Sequence, residues 1–412
     1  MKKLLFILVV LNATSLFAVD RFVDAAFGSG NGTTMFPTIS SAITAATNGD
    51  RILIATGIYS EGAITISKSL SLIPQTPGAF ITYNGNITIA GAPGMKLYFV
   101  GFNMGIYGFS SNSISGGSIA NRALVSFVDC KMGNLTINAD FYELLAVRTS
   151  VVNTTTMRYG SFIASKTNDL SIVDETGSNN TTDKIRLIAD SIMNNFDMRA
   201  DNYCLSVYNC LMKNIKFYKW NYVTSPSNEF FNNDVMTGAT WMLASASVPG
   251  YNFKFSGNNF LGTISFNSGA TYSGYPNYTY GNVWDTSVDS GLQYSTTTSL
   301  FPSASSAGYF EWTYNGNEIP CAVPTASNPL VLTRIAGTAG TTVNSGNPNH
   351  EFYDIDLSIG DRGRFGGPFT WNNYFPVSNP SGSRAFIYDL TIPADLFPGQ
   401  NIDVKAKAYH RN

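Results

Sequence analysis

One phrase keeps returning along this chain: an apolar pair, a small or polar residue, then apolar residues alternating with Asn, Thr or Gly. Its clearest copy is Phe127-Val128-Asp129-Cys130-Lys131-Met132-Gly133-Asn134-Leu135-Thr136-Ile137, and it recurs around Thr149, Ser165, Ser191, Cys210, Asp234 and Asn259. The spacings are 19, 16, 26, 19, 24 and 25 residues. Their mean, near 21, is that of a solenoid, in which one structural repeat stacks on the next. Alternation with a period of two sends one side of each short strand into a dry interior and the other to water.

The phrase begins after a different kind of segment. From Pro37 the chain reads Pro-Thr-Ile-Ser-Ser-Ala-Ile-Thr-Ala-Ala-Thr-Asn-Gly, which sets Ile39, Ala42, Ile43 and Ala46 on one face of a short helix. Pro37 suits its first turn and Gly49 a left-handed stop. Asp50-Arg51 leads into a strand Ile52-Leu53-Ile54, a Gly57-Ile58-Tyr59 turn, then Ile64-Thr65-Ile66 and Leu70-Ser71-Leu72-Ile73. Short strands at this spacing with no helix between them predict a stacked all-β coil. A solenoid's first coil exposes its core and unpaired backbone, so a helix carrying Ile39 and Ile43 is expected to cover that end.

The stretch from Pro37 to Ile73 resembles the opening of pectin-lyase-like parallel β-helix proteins, in which an amphipathic helix caps the first coil and a Gly-Asp pair launches the first strand. The resemblance implies an all-β, single-stranded right-handed parallel β-helix (a solenoid) with an N-terminal capping helix. It implies no particular reaction, because that fold hosts lyases, glycoside hydrolases, esterases and noncatalytic binding proteins.

Residues 1–18 read as a signal peptide: Lys2 and Lys3, an apolar run from Leu4 to Leu11, and Ala18 at the cleavage point. That run is far shorter than the roughly 20 residues needed to span a bilayer, so export is expected, to a secreted, periplasmic or cell-surface location with no membrane span in the mature chain. No cysteine precedes Cys130, which excludes lipid attachment at the cleavage point. Only 13% of residues are charged, and removal of Lys2 and Lys3 leaves 23 basic against 27 acidic residues. With no basic cluster to meet phosphates, nucleic acid is not an expected partner.

Within the coils, Asn134, Asn153, Asn168, Asn194, Asn214 and Asn258 recur near turns and are expected to stack as a structural ladder. Cys130 and Cys210 fall four repeats apart, roughly 19 Å at about 4.8 Å per coil, beyond the roughly 7 Å a disulfide allows. Cys204 and Cys321 have no evident partner, so all four cysteines are expected to be free and largely buried. Residues 19–375 are assigned to the β-helix. Near its end, Asp354-Ile355-Asp356-Leu357-Ser358-Ile359-Gly360-Asp361-Arg362-Gly363-Arg364-Phe365-Gly366-Gly367-Pro368 resembles the closing coil of exported β-helix repeat proteins. Asp354, Asp356 and Asp361 are read as turn and salt-bridge residues, since a calcium loop of the EF-hand type would end in a glutamate. Residues 376–412, with alternating runs Phe386–Pro393 and Ile402–Ala408, form a C-terminal β appendage too short to be an independent domain.

The chemistry of known relatives of the fold is not legible. Pectate-lyase signatures such as Trp-Ile-Asp-His, the Asn-Thr-Asp and Gly-His-Gly segments of polygalacturonases, and a Gly-x-Ser-x-Gly elbow are all missing. The two histidines, His350 and His410, have no identifiable catalytic partner, and no Cys or His spacing suggests zinc. No metal or cofactor is expected. The positive signal is aromatic: Trp220 and Tyr222, and Tyr272, Tyr275 and Tyr278 in a loop-like Gly- and Ser-rich setting, offer flat faces with polar tips suited to sugar rings. Phe253, Phe255, Phe260 and Phe266 are read as packing within coils. The sequence therefore points to a noncatalytic β-helix protein that binds a polysaccharide or surface glycan, or mediates cell-surface interactions. A divergent polysaccharide lyase or glycoside hydrolase and a structural or adhesive surface component are the alternatives.

Overall fold

A computed structural model describes residues 18–76, 78–175, 184–199, 204–219, 228–243, 253–256, 258–260, 263–266 and 278–280. Further along, it describes strands at 312–314, 317–319, 332–334, 385–391 and 405–410, and the single residues Arg364 and Phe369. The chain winds as a parallel β-helix. A 13-stranded first sheet and a 15-stranded second sheet run its length, and every pairing within them is parallel, each strand bonding to its counterpart one coil on. Early coils carry three strands, as in Arg51–Ile54, Ile58–Tyr59 and Ile64–Ile66. From Ser150–Met157 the second and third merge into one strand. Register shifts between Val151 and Thr154, Thr167 and Leu170, Ile192 and Asn195, and Met212 and Asn214 mark where it turns the corner. Beyond Tyr280 the described strands are antiparallel: Trp312–Tyr314 between Asn317–Ile319 and Leu332–Arg334, and the hairpin Ala385–Thr391 with Lys405–His410.

Alternation produces the interior directly. Ile64-Thr65-Ile66, Ile87-Thr88-Ile89 and Leu135-Thr136-Ile137 each bury their outer two residues and turn the threonine outward. Parallel register then aligns like with like, and the rings of Phe99 and Phe127 stack one coil apart, centroids 5.2 Å apart and nearly coplanar at 8°.

The capping helix α1 is shorter than its pattern suggests, Ile39–Ala45, with Thr38 as N-cap. Ile39, Ala42 and Ile43 are buried, as is Ala46 just beyond. Pro37 stands before the cap residue, not in the first turn, and the helix stops at an extended Ala46; Gly49, at φ 94°, serves the turn into the next strand instead. Charges from the coil complete both ends. The Glu61 carboxylate accepts the Ile39 and Ser40 N–H groups at 2.6 and 2.7 Å, and the Lys68 ammonium donates to the carbonyls of Ile43, Thr44 and Ala46. Both signs suit the helix dipole. Ile58–Tyr59 is a short strand where the sequence suggested a turn, and a strand unseen in the sequence, Asp20–Val23, precedes the helix and pairs with Arg51–Ile54. Asp50 fastens this coil: its fully buried carboxylate accepts the Val19 and Thr47 N–H groups and the Arg21 guanidinium at 2.7–2.9 Å. Burial opposes its charge, but these donors outweigh it and hold the group below 3.8.

A second device repeats between the sheets. From the strand ending at Val100 on, the first-sheet strands are followed by a left-handed residue, Gly101 and then Asp129, Arg148, Ala164, Ala189, Asn209 and Asn232, with φ between 48° and 66°. The next residue points inward. Cys130, Thr149, Ser165, Asp190, Cys210, Asn233 and Asn258 thus form a buried file. From Thr149 on, each backbone N–H donates to the side chain one coil later: to Ser165 Oγ, Asp190 Oδ1, Cys210 Sγ, Asn233 Oδ1 and Asn258 Oδ1, at separations of 16 to 25 residues. The expected asparagine ladder is therefore corrected. Of the residues proposed for it only Asn258 belongs; Asn168 and Asn194 instead bond to Asp169 at the outer bulges. Cys130 and Cys210 are free and buried, four coils apart as the spacing predicts. Cys204 lies in a strand, and Cys321 falls outside the described residues.

Three outcomes follow from these buried groups. Asp50→Ala, which leaves Arg21 buried without its carboxylate, is expected to cost about 3–5 kcal/mol in urea unfolding. Because the folded Asp50 value is depressed, its contribution is present above the unfolded value of 3.8 and lost as pH falls through the folded one. Asp190 has the opposite sign. Burial drives it well above 3.8 despite the Ser165 and Ile188 N–H donors, so the folded state holds its proton longer than the unfolded state. Its contribution is complete below 3.8 and declines by about 1.4 kcal/mol per pH unit until the folded value is reached. Asp190→Asn, which cannot titrate and keeps one oxygen for the Ser165 N–H while losing the acceptor for the Ile188 N–H, should remove that slope. Native-state thiol labelling should spare Cys130, which burial raises to about 12, and Cys210, which burial also raises.

Candidate functional site

Two outward faces of the coil present ordered side chains. On the first sheet, Arg186, Ser206 and Glu229 are level with one another on successive strands. Glu229 Oε2 accepts the Tyr208 hydroxyl at 2.5 Å, the Lys184 ammonium at 3.0 Å and the Ser206 hydroxyl at 3.1 Å. Burial raises the cost of its charge, yet the Tyr208 hydroxyl and Lys184 prevail and hold the carboxyl below its usual range. Burial and the Glu229 charge push the Tyr208 hydroxyl far upward. Its ring is stacked between Phe231 and Phe369, at 5.4 and 5.2 Å. A carboxylate so well supplied with donors is a weak proton acceptor, and a tyrosine whose ionisation is so disfavoured is a weak proton donor. The cluster has the residue types of an acid–base site but not their poise.

Phe369 belongs to a piece of chain far from these coils. Arg364, buried, accepts the Asn209 side-chain amide through its carbonyl across 155 residues, and its guanidinium feels the charge of Asp234. Burial lowers the Arg364 guanidinium to about 10. Of the expected closing coil at 354–368 only Arg364 is described; like Phe369 just after it, it lies against the side of the coils around 204–235. The physical reason is an apolar row on the outer side of the first sheet. Val128, Val147, Ile163 and Ile188 point outward yet are buried, and Phe369 packs against this group. Asp354, Asp356, Asp361 and His350 fall outside the described residues; His410 ends a strand.

The second sheet is different. Thr65, Thr88, Ser110, Thr136, Thr156 and Ser171 pair in unbroken register on six successive coils, and the row continues through Asp197 and Lys216 to Thr240 and Ser265. From Thr65 to Lys216 none of these is buried. Beside the row stand Thr154, Asp169, Asn195 and Asn214, with Asp169 Oδ1 accepting Asn194 Nδ2, Asn195 Nδ2 and the Asn195 N–H. The result is a file of hydroxyls and amides repeating about every 4.8 Å.

Of the aromatic residues singled out in the sequence, Trp220, Tyr222, Tyr272 and Tyr275 lie outside the described residues. Tyr278 opens the strand Tyr278–Tyr280, level with Lys254, and so is not the loop residue expected. Glu229, Lys184 and Tyr208 escaped the sequence reading because no local motif joins residues 45 positions apart. Among the described residues no group of three or more His, Cys, Asp or Glu is arranged to hold a metal ion. None of their helices is long and apolar enough to cross a membrane.

No family model matches the chain, and no curated protein sequence matches it. Among solved structures, a pectate lyase, Pel9A, is similar over 85% of this chain and 97% of that one, with a TM-score of 0.38 and 13% identity. So distant a likeness carries no argument about chemistry. The class, a parallel β-helix, rests on the strand register itself.

The Glu229 geometry gives a direct expectation. Tyr208→Phe removes the shortest of its three bonds, so the Glu229 carboxyl should move up toward 4.5 when followed by NMR. The loss of a hydrogen bond to a charged group should cost about 1.5–3 kcal/mol in stability.

Proposed function

We propose that this protein is an exported, noncatalytic β-helix that binds an extended polysaccharide or surface glycan. The observation that supports the reading best is the hydroxyl file of the second sheet, unburied and in register from Thr65 to Ser171 and continued by Asp197 and Lys216. A polymer of sugars offers hydroxyl groups at a repeat of similar length, and side chains that both donate and accept suit it. Trp220, Tyr222, Tyr272, Tyr275 and Tyr278 are the proposed stacking residues. Export is inferred from Lys2, Lys3, the Leu4–Leu11 run and Ala18. The depressed Glu229 and the buried Tyr208 argue against turnover at the one described carboxylate with cations and hydroxyls around it.

The test pairs co-sedimentation on a panel of insoluble and soluble polysaccharides with assays for new reducing ends and unsaturated products. Binding without either product is the expected result. Thr88→Ala and Thr136→Ala should each weaken it by roughly two- to tenfold, the worth of one net hydrogen bond at about 0.5–1.5 kcal/mol. Product formation would favour a lyase or hydrolase, and self-association without any bound glycan would favour a structural or adhesive component.

A further inference from the structure

Over the first four coils of the second sheet, three outward columns stand side by side. The hydroxyl file forms the middle one, with Thr65, Thr88, Ser110 and Thr136 in direct register. Two residues before it on each coil are Ala63, Asn86, Gly108 and Asn134, and two residues after it are Ser67, Ala90, Asn112 and Asn138. None of these residues is buried, none is charged and none is longer than asparagine. The backbone itself enforces the low relief: a Cβ on Gly108 would meet the Asn134 carbonyl oxygen at 2.3 Å, so that position admits only glycine. Polar groups are also linked from coil to coil. Asn86 Oδ1 accepts the Gly108 N–H at 3.0 Å, and the Thr88 and Ser110 hydroxyls stand 3.4 Å apart. Arg158, which follows Asn138 in its column one coil on, is turned back into the sheet, pairing with Asp140 at 3.3 Å and donating to the Asn138 carbonyl.

We propose that this face docks on the surface of an insoluble, uncharged polysaccharide whose chains lie side by side along the solenoid axis, an inference that rests on the glycan-binding reading above. The partner is uncharged because no Lys or Arg stands in these columns to meet a carboxylate or sulfate. It presents several chains because columns two residues apart along a strand lie about 6.6 Å apart, so three of them span roughly 13 Å, more than the breadth of one sugar chain. The middle column alone runs on through Thr156 to Ser171, roughly 24 Å from Thr65. The partner is ordered because a face without groove or wall exchanges each hydrogen bond to water for one to sugar at little net gain. A dissolved chain would also lose its freedom on binding. Chains already fixed in a solid have no such freedom to lose, and their hydroxyls, repeating at a length close to that of the coil, meet Thr65, Thr88, Ser110 and Thr136 together.

Co-sedimentation of the full chain tests this, with crystalline cellulose, crystalline chitin and the same polymers swollen to an amorphous state as solids, and cellohexaose and chitohexaose as soluble competitors. The expected result is tighter binding to a crystalline polymer than to its swollen form, no competition by the hexasaccharides, and no weakening at about 1 M salt, where the Debye length is about 3 Å. Ala90→Arg and Asn112→Arg each raise a long side chain from an outer column. In protein that melts as the wild type does, each should weaken binding by about tenfold or more, because the surfaces are held apart and many contacts are lost at once. Ile58→Arg, at a 71% exposed position on a different strand of the coil, should not. Equal or tighter binding to the swollen polymer, competition by a hexasaccharide, or loss of binding in salt would overturn the inference while leaving glycan binding itself intact. Wild-type binding by both arginine variants would overturn it by placing the contact elsewhere. No binding to any polysaccharide would overturn it together with the reading on which it rests.

Discussion

Backbone hydrogen bonding between one coil and the next is the interaction on which everything else in this molecule depends. Because each strand pairs in parallel with the equivalent strand about 20 residues away, a residue's neighbours are its counterparts in other coils. A side chain is thereby recruited into a row, and every row must be satisfied as a whole. The inward rows solve this with stacked apolar groups such as Phe99 and Phe127. The buried file solves it, from Ser165 to Asn258, with side chains that accept a backbone N–H from the coil before. At the first coil there is no preceding counterpart, and α1, Glu61, Lys68 and Asp50 supply what the missing coil would have supplied.

The rows explain what the sequence disclosed and what it withheld. The fold was legible because Ile-Thr-Ile and its variants state inside and outside within three residues. The repeat positions marked in the sequence fall on the buried file at Thr149, Ser165 and Cys210, and one residue after it at Ser191, Asp234 and Asn259, where Asp190, Asn233 and Asn258 occupy it. The marker that would have fixed the frame is the left-handed residue before each member. After Gly101 that position holds Asp, Arg, Ala and Asn, only some of which advertise such a conformation. Asparagines were overvalued for the same reason. Glu229, Lys184 and Arg364 were invisible for a different one: their partners are set by the count of coils, and the turns between coils vary too much in length for that count to be read as spacing.

The two outer faces divide the labour. On the first sheet the polar residues saturate one another, and the apolar row beside them draws in Phe369. That face is spent on holding the molecule together. The second sheet keeps its hydroxyls and amides unburied along most of its length, which makes it the surface with hydrogen bonds to offer a long, repetitive ligand.

The bond between Asn209 and Arg364 also separates two regimes of assembly. Links in the buried file close loops of 16 to 25 residues, whereas this one closes a loop of 155. Loop-closure entropy grows with the logarithm of length, so the long link costs roughly 2 kcal/mol more to form first. Coils can zip onto coils from any local nucleus as the chain appears, but the Arg364–Phe369 crossing has nothing to lie on until the coils from Val128 to Asp234 exist. The long link is therefore set after the coils it rests on, and the solenoid's own assembly does not wait for it.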